Sequence, residues 1–205
     1  MTDWRPMQKR LGVTADGLPG RGTFTALFKA MGATAARASS LALGANVHFR
    51  TYGIADNPLR LAHFMGQTAH ESAGYAYMEE IGGDAYFKRM YDMDGDRPLV
   101  AKRLGNVVAG DGIRYHGRGP IQLTGRANYR EYGQALGLDF EENPQLVAMP
   151  AIGILVAAKY WADRGINALA DADDLEAITR KINGGVNGLA DRQARTAKAK
   201  GLILP

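Results

Sequence analysis

Apolar residues recur at helical spacing along most of this chain. Phe24, Leu27, Phe28 and Met31 stand at i, i+3, i+4 and i+7, which predicts a helix over residues 23–31. Residues 4–11 read as a short helix before it, and Asp16-Gly17-Leu18-Pro19-Gly20 as a turn. Residues 34–44 are alanine-rich and helical. Asn57-Pro58 is the clearest start signal, with Asn57 as N-cap and Pro58 at the first helical position. Leu61, Phe64, Met65 and Thr68 then share one face, and Gly74 can end the helix. Helical patterning returns at 128–136, 149–164 and 175–182, with a last helix over about 190–200. The intervening stretch, 75–119, is glycine-punctuated and expected to be irregular, and such long stretches in compact domains are usually functional. Strand signal is confined to 76–81 and 121–123. The expected class is mainly α (α+β), with a small β element in the middle.

Composition narrows the function classes. The 205 residues are 46% hydrophobic and 22% charged, a globular balance that argues against disorder. No cysteine is present, which excludes a disulfide scaffold, thiolate metal sites and thiol catalysis. Four histidines without cysteine make a metal site improbable, and no cofactor is expected. A zincin motif starting at His70 would need its second histidine at Gly74. His63 and His70, seven apart, read as core or supporting residues. No apolar run reaches the roughly 18 residues of a membrane span. The net charge of +4 suits anionic partners such as wall polymers, but no basic stripe interleaved with aromatics points to nucleic acid. The start, MTDWRPMQKR, lacks the apolar core of a signal peptide, so synthesis in the cytoplasm is expected, with assisted release for any work outside.

The candidate chemistry begins at His70-Glu71-Ser72-Ala73-Gly74, followed by Glu79-Glu80. Glu71 falls near the C-terminal end of an apolar helix. There the helix dipole disfavours a carboxylate, and partial burial would favour the protonated form, as a general acid requires. On one continuous helix Glu71 and Glu80 would be separated by about 13.5 Å along the axis and lie on opposite faces. They can converge only if the helix breaks between them. Gly74 supplies a break, and Tyr75 and Tyr77 suggest an extended return. Glu79 and Glu80 both remain candidates for the second carboxylate. A second constellation runs from Arg114 to Gly125, where Gln122 and Thr124 point the same way if the segment is extended. A third is Lys181 to Gly188, a helix ending in a glycine-rich loop before Arg192 and Arg195.

Taken in this order, HESAG at 70–74 with Glu80, GRGPIQLTGRANY at 117–129, and INGGVNG at 182–188 with Arg192 resemble glycoside hydrolase family 19. The likeness is to its small phage endolysin and prophage lysozyme branch and covers roughly residues 45–200. It implies a lysozyme-like two-lobed helical fold with a small β element beside the active-site cleft. By the same resemblance Glu71 matches the general acid, Glu80 the general base, and Thr124 the residue that helps hold the attacking water. Gln122, Asn128 and Asn183 match positions that line the sugar cleft, with Tyr129 nearby as a further candidate substrate contact. Arg192 matches an arginine that tunes the catalytic carboxylates, and His70 and Tyr75 stand beside the acid as further candidate substrate contacts. Ala73 departs from the glycine of many relatives. The implied reaction is inverting cleavage of β-1,4 bonds in peptidoglycan, with chitin as the alternative polymer and a non-catalytic wall-binding protein as a second alternative. The absence of the plant branch's disulfides favours the bacterial wall, and a monomer without stable membrane insertion is expected. Residues 1–33 resemble part of a peptidoglycan-binding module, through Met7 to Val13, Asp16-Gly17, Gly20 and Thr23 to Leu27, leaving 34–205 as the catalytic domain. That segment either anchors the protein to the wall or packs on the core.

Overall fold

The computed structural model describes residues 2–205. Its helices are α1 (Arg5–Arg10), α2 (Arg21–Ala30), α3 (Ala35–Thr51), α4 (Pro58–Glu71), α5 (Asp84–Tyr91), α6 (Pro98–Arg103), α7 (Asp111–Arg114), α8 (Arg126–Leu136), α9 (Pro150–Asp163), α10 (Ile166–Asp171), α11 (Leu175–Asn183) and α12 (Leu189–Ile203). The protein is mainly α. Among the described residues no helix is long and apolar enough to cross a membrane.

α4 starts as its cap residues require: Asn57 accepts from the Leu59 amide at 2.9 Å, with Pro58 at the first position. Every residue from Leu61 to Ala69 is buried, so α4 is enclosed on all sides rather than on one face. Close helix crossings make this possible. Gly66 lies against Thr196 of α12 where a methyl has no room, and Gly44 of α3 lies likewise against the Ala151 carbonyl of α9. A file of edge-to-face aromatic contacts joins α2, α3, α4 and α9: Phe24–Phe49 at 5.2 Å, Phe49–Phe64 at 4.9 Å and Phe64–Trp161 at 5.4 Å.

Two hydrophobic cores result. The larger holds α1–α4, α10–α12 and one side of α9. The smaller gathers Tyr115, Leu123, Tyr129, Tyr132, Phe140, Val147 and Val156. Ile121 and Tyr160 pack against both, which marks the seam between the lobes.

The segment at 2–33 is part of the larger core. Met7, Phe24, Leu27 and Phe28 are fully buried there, at about 1.5–3 kcal/mol per side chain. Their sum is comparable to the net stability of a whole domain, so the segment cannot lift away without opening that core. Its turn is tied in as well: the buried Gln8 donates to Asp16, Leu18 and Thr23 and accepts from the Gly17 amide.

Four sequence expectations are corrected. The 75–119 stretch contains α5, α6 and α7. These helices are short and each buries only one or two side chains, so no apolar period marks them. The strands expected at 76–81 and 121–123 are reduced to the isolated bridges Glu79–Arg118 and Arg118–Leu123. α3 extends to Thr51, and α10 adds a helix where none was expected.

Candidate active site

Glu71 is the last residue of α4, and the buried Arg192 of α12 meets it there. Arg192 Nη2 donates to Glu71 Oε1 at 2.5 Å, Nη1 to Gln67 Oε1 at 2.5 Å, and Nε to the Asn187 carbonyl at 3.1 Å. The guanidinium places a positive charge against a carboxylate that the helix end alone would disfavour. Arg192 is only 1% exposed, so it acts through Glu71 and does not line a sugar cleft.

Beyond Glu71 the chain turns through three consecutive left-handed residues: Ala73 (φ 50°), Gly74 (φ 71°) and Tyr75 (φ 65°). Glycine adopts this readily, but the two side-chain-bearing residues carry strain of about 1–2 kcal/mol each. Tertiary contacts hold it. The Tyr75 ring packs edge-on to Phe28 at 5.1 Å and its hydroxyl meets Thr68 Oγ1 at 2.8 Å. Arg37 Nη1 donates to the Tyr75 carbonyl at 2.8 Å and also to that of Ala76. The expected extended return is therefore a tight left-handed turn, and Tyr75, fully buried, is a core anchor that does not reach substrate. Burial pushes its phenol pKa far up, consistent with a permanently protonated donor.

The turn delivers Glu80 to the bridge with the 114–125 segment. The Glu80 amide donates to the Gly117 carbonyl at 2.8 Å, and the Gly117 amide to Glu80 Oε2 at 3.2 Å. From α5, the Tyr91 hydroxyl donates to Glu80 Oε1 at 2.8 Å, with Tyr86 at 3.3 Å. Burial, then the hydrogen bond to Glu80, pushes the Tyr91 pKa well above the usual phenol range, so it remains a donor. Gly117 lies at the focus of the site: a Cβ there would stand 2.7 Å from Gln122 Oε1, 3.1 Å from Glu80 Oε2 and 3.3 Å from Thr124 Oγ1. Glu79 turns elsewhere, accepting from Arg118 Nε at 2.8 Å. Of the two adjacent glutamates, Glu80 is the one gathered with Thr124 and Gln122.

Gln122 and Thr124 share this site without an extended segment. Gln122 has φ 54°, inside a turn closed by its own Nε2 donating to the Gly119 carbonyl at 3.0 Å. Thr124 Oγ1 donates to the Gln122 carbonyl at 2.8 Å, which leaves its lone pairs available. Asn128 Nδ2 donates to the Thr124 carbonyl at 2.7 Å. Gln122, Thr124 and Asn128 line a cleft of about 230 Å³ together with Ile121, Tyr132, Tyr160, Arg164 and Ile182. The cleft therefore follows the seam between the cores. Neither Glu71 nor Glu80 is among the residues that line it. Burial raises the Tyr160 pKa, Arg164 lowers it, and the charge of Glu71 raises it. A larger cavity of about 400 Å³ borders α8 and residues 137–141, and of the candidates it touches only Tyr129.

The other candidates are dispersed. Tyr129 is fully buried, its hydroxyl donating to the His116 carbonyl at 2.9 Å and accepting from Arg118 at 3.1 Å, so it supports the 116–118 backbone. His70 Nδ1 pairs with Asp191 Oδ2 at 2.6 Å, and its ring lies against Gly188, where a Cβ would collide. His70 thus holds the glycine-rich loop rather than facing the cleft. Asn183, exposed at the end of α11, donates to the Asn187 carbonyl at 3.3 Å.

The family model for class I chitinases, glycoside hydrolase family 19, matches residues 28–170. The chain belongs to glycoside hydrolase family 19. It is similar to a glycosyl hydrolase family 19 domain-containing protein of Haemophilus influenzae, 33% identical across 66% of this chain and 76% of that one. It is also similar to chitinase 6 of Oryza sativa subsp. japonica, 31% identical across 66% of this chain but only 46% of the plant protein. Among solved structures, chitinase C from Streptomyces griseus HUT6037 superposes with a TM-score of 0.62 at 24% identity, covering 78% of this chain and 82% of that one. A bacterial family 19 chitinase gives 0.61 at 21% identity, covering 91% and 93%. At these identities the structures establish the lysozyme-like helical fold. This family 19 chain is a glycoside hydrolase. Sequence reasoning missed Tyr86 and Tyr91, which hold Glu80, and Tyr160 and Arg164, which line the cleft. No motif marks them: Tyr86 and Tyr91 reach Glu80 from the short helix α5 just after it, and Tyr160 and Arg164 reach the cleft from the end of α9.

Proposed function

We propose that the protein is an endolysin-type hydrolase that cleaves β-1,4 bonds of peptidoglycan glycan strands by single displacement with inversion. The reading rests on the convergence of Glu80, Thr124 and Gln122 about Gly117. Glu71 supplies the acid. Its Oε1 accepts from Arg192, which leaves Oε2 to take up a proton from solvent and deliver it to the departing glycosidic oxygen. Glu80, fixed by Tyr91, Tyr86 and the Gly117 amide, takes one proton from a water whose other hydrogen the Thr124 oxygen accepts. That water attacks C1 from the face opposite the leaving group as the C1–O bond breaks, giving a product of inverted anomeric configuration.

Chitin is the second reading, favoured by the names of the rice and Streptomyces proteins to which the chain is similar. Wild type, Glu71→Gln and Glu80→Gln should be incubated with purified peptidoglycan and with colloidal chitin. New reducing ends are measured after reductive labelling, and the first-formed anomer by NMR. The expected result is release from peptidoglycan with inversion, and a fall in kcat of about 10²–10⁴-fold in either variant. Release from chitin alone would replace the substrate assignment. Folded Glu71→Gln with wild-type activity would overturn the mechanism.

A further inference from the structure

Of the ten residues lining the cleft, Arg164 alone carries a formal charge. Its guanidinium centre sits 3.5 Å from the centroid of the Tyr160 ring, and Nη1 donates to the Tyr132 hydroxyl at 3.2 Å. Stacking and one neutral hydrogen bond orient the group without neutralising it. The other arginines bordering the site each hold a carboxylate: Arg118 has Glu79, Arg126 has Asp111 and Arg192 has Glu71. Asp163, adjacent in the chain, is paired instead with Lys159 at 2.9 Å. Among the described residues, then, Arg164 has no acidic partner, and the remaining donors of its planar fork have no protein acceptor. A rigid, exposed guanidinium with spare donors is the geometry that binds a carboxylate.

We propose that Arg164 determines specificity by binding a carboxylate carried on the glycan, so that the cleft takes an acidic strand in preference to a neutral one. The inference rests on the peptidoglycan reading. A chitin strand is neutral along its length. A peptidoglycan strand carries on alternate sugars a lactyl ether, whose carboxyl is either free or extended by a peptide with carboxylates of its own. Tyr160 joins the two ends of the device: its ring supports Arg164, and its hydroxyl donates to the Ile182 carbonyl at 3.2 Å, next to Asn183 at the end of α11. Arg164 also terminates α9, where any cation complements the helix dipole. Lysine keeps that structural benefit but loses the fork.

The test compares wild type, Arg164→Gln and Arg164→Lys on three soluble substrates of matched length. These are chito-oligosaccharides, glycan strands stripped of peptide with the lactyl carboxylate free, and strands bearing the peptide. KM and kcat are measured separately, with thermal midpoints as a folding control. For Arg164→Gln the expected result is a KM raised about ten-fold on acidic strands, with kcat and the chito-oligosaccharide KM changed less than two-fold. Arg164→Lys should recover only part of the KM, and added salt should narrow the wild-type preference. Loss on stripped strands identifies the lactyl carboxylate as the ligand; loss only on peptide-bearing strands identifies the peptide. Equal changes on neutral and acidic substrates, or none, would overturn the role of Arg164 while leaving the peptidoglycan reading intact. Wild type that cleaves chito-oligosaccharides but neither peptidoglycan strand would overturn both.

Discussion

Gly117 and Glu80 bind each other twice, backbone to backbone at 2.8 Å and Gly117 amide to Glu80 carboxylate at 3.2 Å. The pair is separated by 37 positions in the chain, and it sets which carboxylate faces Thr124. A methyl on Gly117 would intrude among Gln122, Glu80 and Thr124. Gly117→Ala is therefore expected to lower kcat at least ten-fold, since small misplacements of reacting groups are costly. The thermal midpoint should move only a few degrees, because the atom met first is the end of a flexible glutamine. Steady-state kinetics beside a thermal melt checks this.

Tyr91 supplies the shorter of the two phenol hydrogen bonds to Glu80. Tyr91→Phe keeps the ring and deletes the donor. The expected cost is a kcat reduced about ten-fold with KM nearly unchanged, as for loss of one hydrogen bond to a charged group. Tyr86→Phe, at the longer distance, should cost less. Equal effects of the two variants would contradict the geometry.

The ion pair of Arg192 and Glu71 predicts non-additive stability. Arg192→Met strips the charge partner from Glu71 and the donor from Gln67. About 3 kcal/mol of stability should be lost, the low end for a broken buried pair, because the Glu71 side chain retains 23% exposure. The double variant Arg192→Met/Glu71→Gln should lose less than the sum of the singles. Urea unfolding of the four proteins measures the coupling.

His63 is buried in α4 with Nε2 2.6 Å from Asp173 Oδ1, and burial holds its pKa below the usual histidine value despite that carboxylate. Burial shifts His48 the same way. The unfolded chain therefore binds these protons more readily than the folded one. Their contribution is intact above the unfolded value of about 6.5, and stability declines as pH falls below it toward the folded-state pKa values. The urea midpoint should be lower at pH 5.5 than at 7.5, and His63→Gln should flatten the dependence. A folded His63→Gln protein with the wild-type slope would remove His63 as its source.

Phe28 links the N-terminal segment to the catalytic turn through Tyr75. Phe28→Ala should cost about 3–5 kcal/mol as a core truncation. It should also lower kcat in the protein that remains folded, because Tyr75 anchors the turn between Glu71 and Glu80. Activity per folded molecule, obtained from titration of the unfolding transition, separates the two effects.

Local pattern in the sequence determined the longer helices, the Asn57 cap and the order of the three motifs. The Asn57-Pro58 start of α4 needs only side-chain and backbone atoms within a few residues of each other. So does the placement of Glu71 at the end of that helix. Helices α5–α7 escaped because short, mostly exposed helices carry no apolar period. The gathering of Glu80 rather than Glu79 with Thr124 and Gln122, the burial of Tyr75 and Tyr129, the inclusion of residues 2–33 in the core and the hydrogen bonds that join Arg192 to Glu71 and Gln67 are set by tertiary packing. Each depends on which surfaces pack together. The Arg192–Glu71 contact spans 121 positions, and no local spacing encodes a contact of that range. The glutamates at 79 and 80 are chemically identical, and what separates them is the direction each side chain takes once Arg118 and Gly117 are brought alongside.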